Sequence, residues 1–375
     1  MKYYIVAGEA SGDLHGSNLV RALRQADPQA QIRAWGGDRM QQEGASLVRH
    51  YRDLAFMGFV EVAANLRTIL GNLRFCKRDI EAFAPDAVIL IDYPGFNLRI
   101  ASWCREKGYK TFYYISPQVW AWKEGRVKSI RSNVDHMLVI LPFEQEFYRR
   151  HSYPVDYVGH PLLDALARRT APDAADFRRR QGLDERPIVA LLPGSRVQEI
   201  RAMLPVMAQM AGAFPDYQFV VAATPVQPAR LYDTILGNSE VKRVTDCTYD
   251  LLSVSHAALV TSGTATLETA LIGVPQVVCY KGSPLSYFIG RMVVKVPFIS
   301  LVNLIASREV VRELIQGAMN PQTLAQELRR ILSGPAREKM LADYAEIRHL
   351  LGDGGASRRA AEAIVSRLRA QHPAG

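Results

Sequence analysis

Two loops hold, within a few residues each, groups suited to a transfer reaction. Thr261-Ser262-Gly263-Thr264-Ala265-Thr266-Leu267-Glu268 follows an apolar run and opens a helix. Successive N–H groups at such a start, from Ser262, Gly263, Thr264 and Ala265, make a cradle for a pyrophosphate. Glu268 lies one turn beyond Thr264, where its carboxylate could accept both hydroxyls of a ribose; a plain Ser/Thr cap is the competing reading. The second loop, Ile91-Asp92-Tyr93-Pro94-Gly95-Phe96-Asn97, ends a buried strand on a carboxyl group. Burial there would raise the pKa of Asp92 toward the range of a general base, while the alternative is an Asp that caps the next helix.

Three further loops carry polar groups. Gly8-Glu9-Ala10-Ser11-Gly12-Asp13-Leu14-His15-Gly16 places Glu9, Ser11, Asp13 and His15 together, with glycines, Gly12 among them, that allow a ligand close to the backbone. Ser11 or Asp13 could equally cap the helix. The spacing is not G-x-G-x-x-G, and Ala34-Trp35-Gly36-Gly37 stands where a dinucleotide fold places an acid, so dinucleotide binding is disfavoured. In Ser116-Pro117-Gln118-Val119-Trp120-Ala121-Trp122, Gln118 and Trp120 suit a sugar or anion platform, or a packed aromatic cluster. In Leu192-Pro193-Gly194-Ser195-Arg196, the N–H groups of Gly194 and Ser195 and the Arg196 fork could face a phosphate. The bland reading there is a turn with a solvated Arg. Glu199 suits a helix N-terminus better than catalysis.

These loops follow short apolar runs separated by amphipathic stretches. Tyr3–Ala7, Ala87–Ile91, Thr111–Ile115, His136–Ile140 and Val155–Val158 form one series. Ile188–Leu192, Gln218–Ala222, Val241–Val244, Ala257–Val260 and Pro275–Cys279 form another. Such runs are typical of parallel strands buried on both faces, and their alternation with helices predicts α/β doubly wound units. The polar stretch between the series reads as a linker near 165–186. This predicts an N-terminal domain over 1–165, a second over 187–350, and a final segment over 351–375. Helices are expected at Pro321–Leu332, Pro335–Leu351 and Ala356–Arg369; the last, after Gly352–Gly355, would pack back on the first domain or be swapped between subunits.

The chain of 375 residues, 48% hydrophobic and 22% charged, has the balance of a folded soluble protein. Its 46 Lys+Arg against 37 Asp+Glu, a net +9, favours anionic partners without choosing between nucleic acid, lipid headgroups and phosphorylated metabolites. Four cysteines without C-x-x-C spacing fit a reducing compartment and neither a disulfide framework nor a zinc site. The first apolar run is too short for a signal peptide. The longest apolar candidate, Tyr287–Ile305, is broken by Arg291 and Lys295, so no membrane-spanning helix is expected.

Taken together, the motifs resemble those of the lipid-A-disaccharide synthases. The resemblance rests on Gly8–Asp13, Met57-Gly58-Phe59-Val60-Glu61-Val62, Asp92-x-Pro-x-Phe-Asn97, Ser116–Trp122, Leu141-Pro142-Phe143-Glu144, Gly159-His160-Pro161, Leu192–Arg196, Ser262–Glu268 and Ser300-Leu-x-Asn303-Leu, in order over about residues 3–350. It implies a GT-B fold, two Rossmann-like doubly wound parallel-sheet domains facing across a cleft. It also implies inverting transfer from UDP-2,3-diacylglucosamine to 2,3-diacylglucosamine 1-phosphate (lipid X), giving a β-1,6-linked disaccharide 1-phosphate and UDP. No metal or other cofactor is implied. Gly95 stands where the family often has a second Asp, which concentrates attention on Asp92 as the base, with Glu9, Asp13 and His15 next. Gly194, Ser195, Arg196, Ser262, Gly263, Thr264, Ala265 and Glu268 would bind the nucleotide. Ser11, Gly12, Met57, Gly58, Asn97, Gln118, Trp120 and Asn303 would meet substrate, and His160 reads as structural.

The acylated substrates point to a cytoplasmic enzyme peripheral to the inner face of the inner membrane, with no nucleic-acid partner; a homodimer is left open. The stretch Phe59–Phe83 has Val62, Leu66, Ile69, Leu70 and Leu73 at helical spacing with basic flanks, which suits either a core stripe or an anionic membrane surface. Another UDP-N-acetylglucosamine enzyme of the same fold, a transferase or a 2-epimerase, is the closest alternative. A non-catalytic UDP-sugar sensor is the alternative outside enzymes.

Overall fold

A strand with no polar alternation must be covered on both faces. Ala-Val-Ile-Leu-Ile at 87–91 and Ile-Val-Ala-Leu-Leu at 188–192 are of this kind, and every residue of both is buried. Each large aliphatic side chain so buried contributes about 1.5–3 kcal/mol. These two strands lie in different sheets. A computed structural model describes residues 1–54, 66–122, 124–282 and 296–371 and divides the chain into two units, Met1–Arg168 with Leu351–Gly375, and Arg169–Leu350.

The first unit holds β1 (Lys2–Ala7), β2 (Gln31–Gly36), β3 (Ser46–His50), β4 (Ala87–Ile91), β5 (Thr111–Tyr114), β6 (His136–Val139) and β7 (Asp156–Tyr157). They form one parallel sheet in the order β3-β2-β1-β4-β5-β6-β7. The strand order reverses between β1 and β4, the switch point where open α/β sheets bind ligands. Ala7 pairs with Ile91, so the loops beginning at Gly8 and Asp92 leave the sheet side by side. The helices that matter here are α1 (Ala10–Ala26), α2 (Asp38–Gln42), α3 (Leu66–Phe83), α4 (Pro94–Lys107), α5 (Pro142–Arg150) and α6 (Pro161–Ala167). Of the stretch 59–83, the helix is described from Leu66. Leu73, Cys76 and Ile80 form its buried face and Leu70 is exposed.

The second unit repeats the plan. β8 (Ile188–Leu192), β9 (Gln218–Ala223), β10 (Lys242–Thr245), β11 (Ser255–Thr261), β12 (Gln276–Tyr280) and β13 (Glu313–Ile315) run parallel in the order β10-β9-β8-β11-β12-β13. Its switch point lies between β8 and β11, where Leu192 pairs with Val260. The loops Pro193–Arg196 and Ser262–Gly263 therefore start level with one another. The edge strands β3 and β13 form no apolar run: β3 includes Arg49 and His50, and β13 has three residues.

Residues 165–186, which read as a linker, carry helix α7 (Ala174–Gln181), and its one buried side chain, Phe177, joins the core of the second sheet. Phe177, with Leu183 just beyond the helix, anchors this arginine-rich stretch to that core. The helices α8 (Val197–Ala208), α9 (Thr248–Ser253), α10 (Thr264–Ile272) and α11 (Leu301–Ala306) follow, then α12 (Pro321–Leu332) and α13 (Pro335–Leu351), with the bounds their periodicity predicts. The last helix, α14 (Ala356–Gln371), belongs to the first unit. Asp164 of α6 accepts the N–H groups of Gly355, Ala356 and Ser357, which neutralises the helix start. Arg359 donates to the Val158 carbonyl at 2.8 Å. No described helix is long and apolar enough to cross a membrane.

Candidate functional site

At the switch point of the first unit, β4 ends and the chain turns sharply. Asp92 and Tyr93 both take left-handed backbone, with φ of 44° and 49°. For non-glycine residues this costs on the order of 1–3 kcal/mol each. The turn is fastened at the Asp92 carbonyl, which accepts the Tyr113 hydroxyl at 2.5 Å and Asn97 Nδ2 at 2.8 Å. Opposite, the Tyr93 ring lies so close to Gly8 that a Cβ at that position would sit 2.4 Å from it. Burial, helped by the charge of Glu9 in the adjacent loop, pushes the Asp92 carboxyl up to about 7. A carboxyl group poised there is suited to accept a proton near neutral pH.

The remaining candidates of this unit divide by what their polar atoms already touch. Asp13, expected among the carboxylates for proton transfer, is buried and accepts the N–H groups of Gly37 at 2.7 Å, Met40 at 3.1 Å and Arg39 at 3.2 Å. It holds the start of α2. Asn97 is fully buried, and besides Asp92 its amide approaches the carbonyls of Ile91 and Val6 at 3.2 and 3.3 Å. It braces the turn through its Nδ2, while its Oδ1 is buried without a hydrogen-bond partner among the described residues. Trp120 is likewise buried, its indole N–H donating to Glu144 at 3.2 Å. Gly12 packs against Ala7, where a Cβ would stand 3.1 Å from its methyl group. Ser11 and Gln118 are exposed, and Glu9 is half-buried. Met57 and Gly58 lie outside the described residues. His160 is buried, accepts the Leu162 N–H at 3.2 Å and is held down to about 3 by burial.

Glu144 is a group whose role the residue types alone do not reveal. Fully buried, it accepts from Leu141 N at 2.9 Å and Ile140 N at 3.1 Å as well as from Trp120, and burial raises its pKa to about 7. Its position three residues after Leu141, with Pro at the helix start, is the available signal for this reach-back cap.

At the switch point of the second unit, the expected phosphate loop is folded onto its own glutamate. Glu199 Oε2 accepts the N–H groups of Ser195 at 3.1 Å and Arg196 at 3.2 Å. Gly194, with φ of 103°, permits this approach, since a Cβ would come within 2.5 Å of the same oxygen. The Ser195 amide is therefore committed to the loop, and what the loop presents is the exposed Arg196 guanidinium, which pairs with Glu199 Oε1 at 3.8 Å. Beside it, Gly263 and Thr264 are exposed at the start of α10, and Ser262 and Ala265 are half-exposed. The Ser262 N–H, expected in the cradle, is spent on the Cys279 carbonyl at 3.0 Å, and that of Thr266 on the Gly263 carbonyl at 3.1 Å, so the suitability of this helix start for an anion rests on the N–H groups of Gly263, Thr264 and Ala265. Ser262 Oγ donates to the Ile299 carbonyl at 2.8 Å. On the next turn Glu268 Oε1 accepts the Tyr249 hydroxyl at 2.7 Å, and burial raises the Glu268 pKa.

Asn303, expected to meet substrate, is fully buried and saturated. Its oxygen accepts Val310 N at 2.7 Å and Val311 N at 2.9 Å, and its Nδ2 donates to the Val311 carbonyl and to Glu313, both at 2.9 Å. Glu313 also accepts from Ile299 N at 3.0 Å and Ser300 N at 2.9 Å, so it is the hub that shapes the loop supporting Ser262. Nothing in the motif Ser300–Leu304 announces a partner ten residues on. Among the described residues, no group of three or more His, Cys, Asp or Glu could hold a metal ion.

Residues 3–366 match the family model described as lipid-A-disaccharide synthetase. The lipid-A-disaccharide synthase of Syntrophus aciditrophicus (strain SB) is 44% identical over 374 residues, covering 97% of each chain. That of Coxiella burnetii (strain CbuG_Q212) is 36% identical, covering 96% of each. Among solved structures, the UDP-GlcNAc 2-epimerase of Neisseria meningitidis bound to UDP-GlcNAc has a TM-score of 0.66 at 13% identity, over 98% of this chain and 100% of that one. The calicheamicin glycosyltransferase CalG4 has a TM-score of 0.61 at 15% identity, over 99% of both. At such identities these likenesses speak to fold alone, which is the GT-B class of two parallel-sheet α/β domains.

Proposed function

Because the chain belongs to the lipid-A-disaccharide synthase family, a family of glycosyltransferases, we propose how its residues carry out the transfer. The donor is UDP-2,3-diacylglucosamine and the acceptor 2,3-diacylglucosamine 1-phosphate. The acceptor 6-hydroxyl attacks the anomeric carbon of the donor, the bond from that carbon to UDP breaks, and the configuration inverts. The hydroxyl proton passes to Asp92. The observation that carries this reading is the carboxyl at the end of β4, held in a strained turn with its pKa pushed up to about 7. Glu9 supports it as a second negative group. In the second unit, the start of α10 and the Arg196 guanidinium meet the diphosphate as negative charge develops on the departing UDP. Glu268, oriented by Tyr249, holds the ribose. Ser11 and Gln118 are exposed and suited to touch the acceptor. No metal has a part in this scheme.

The acylated substrates are collected at an anionic membrane surface on the cytoplasmic side. Support comes from α3, where exposed Leu70 is flanked by exposed Arg67 and Arg74. The deciding experiment is product analysis with the two acylated sugars. Tetraacyl disaccharide 1-phosphate and UDP in equal amounts are expected. Epimerised UDP-sugar formed without an acceptor would replace this reading by that of a 2-epimerase.

A further inference from the structure

Consecutive left-handed non-glycine residues persist only when their surroundings over-determine them. At Asp92 and Tyr93 the restraints converge on one atom. The Asp92 carbonyl oxygen takes the Tyr113 hydroxyl from β5 and the Asn97 amide from α4, so both of its acceptor positions are used. Tyr113 and Asn97 are fully buried. The Tyr93 side chain is pinned in turn, lying over Gly8 and stacked on Phe96 with ring centres 5.6 Å apart. The direction in which the Asp92 side chain leaves the strand end is set by this backbone conformation.

We infer that Tyr113 and Asn97 are positioning residues for the Asp92 carboxyl: by tying down the carbonyl of the same residue, they hold the left-handed turn and so fix where the carboxyl points. The inference rests on Asp92 being the base. It assigns to Asn97 a role through Asp92 and brings in Tyr113, which belongs to none of the motifs. Losing either donor lets the turn relax toward ordinary backbone, which re-aims the carboxyl. A misplacement of about 1 Å in a catalytic group costs roughly 100-fold in rate. Relaxation also returns the carboxyl toward water, relieving the burial that holds its proton.

Tyr113→Phe tests this by removing the hydroxyl and keeping the ring in β5. We expect kcat to fall roughly 10- to 100-fold, with KM for donor and acceptor within about twofold of the parent. The acid limb of the kcat–pH profile should move to lower pH. Asn97→Ser, whose donor is too short to reach the carbonyl, should give the same pattern and serves if Tyr113→Phe does not fold. A purely structural role would lower the melting temperature and leave kcat and the pH profile of the folded molecules unchanged; that result overturns the inference. Asp92→Asn, assayed beside them, separates the two ideas. Near-normal turnover in that variant removes the base itself. An inactive Asp92→Asn beside a Tyr113→Phe of unchanged kcat and pH profile removes only the positioning role.

Discussion

The Tyr249 hydroxyl lies 2.7 Å from Glu268 Oε1 and donates to it, so one carboxylate oxygen of the proposed ribose site is oriented before any ligand arrives. A hydrogen bond to a charged group contributes about 1.5–3 kcal/mol. Glu268→Ala should therefore weaken UDP binding by roughly tenfold or more by calorimetry. Tyr249→Phe should weaken it less, by a few-fold. UDP lacking its ribose hydroxyls should bind parent and Glu268→Ala equally; an unchanged UDP dissociation constant in Glu268→Ala would remove the ribose assignment.

Asp13 and Asn303 should separate stability from catalysis. Asp13→Ala strips three backbone N–H groups of their acceptor, and Asn303→Ala strips two. Each buried group left unpaired costs about 1–3 kcal/mol. Denaturant unfolding should show losses of at least that size, while kcat per folded molecule stays near the parent value for Asp13→Ala.

The Asp92 carboxyl makes stability depend on pH in a definite direction. Its pKa rises from the usual 3.8 to about 7 on folding. Below pH 3.8 both states are protonated and the group is neutral in effect. Between 3.8 and about 7 the unfolded chain releases the proton more readily, so the fold loses stability across that window and the loss levels off above it. Asp92→Asn should thus melt higher than the parent at pH 8 and at about the same temperature at pH 3.5.

Vesicle binding checks the proposed membrane face. Leu70→Glu places a negative charge among Arg67 and Arg74, and should cut binding to anionic phospholipid vesicles on the order of fivefold or more in flotation. Neutral vesicles should bind weakly in both forms. Equal binding by a folded Leu70→Glu would set α3 aside.

The periodicity of the chain exposes most of the fold. Strands buried on both faces, such as β4 and β8, declare themselves by unbroken apolar runs, whereas edge strands such as β3, half-exposed and carrying Arg49, do not. The loops at the two switch points were legible too, because they follow those strands and hold Gly, hydroxyls and acids. What each polar atom does was not legible. Asp13 is spent on amides from Gly37 onward, Asn303 on Glu313, and the amides of Ser195 and Arg196 on Glu199. Those partners are chosen by tertiary packing or by local reach-back, and residue type is the same whether a carboxylate caps a helix or takes a proton. The left-handed turn at Asp92 was equally hidden, since no glycine marks it.

The central claim is that Asp92 takes the acceptor proton, and the single-turnover rate of Asp92→Asn across pH tests it most directly. General-base catalysis is worth about 100- to 10,000-fold. The parent rate should rise with pH to a plateau above about 7, the pKa to which burial pushes Asp92, and the variant should be slower by a factor in that range, with no such rise. A variant that turns over at near the parent rate, with the same rise near neutral pH, would contradict the account.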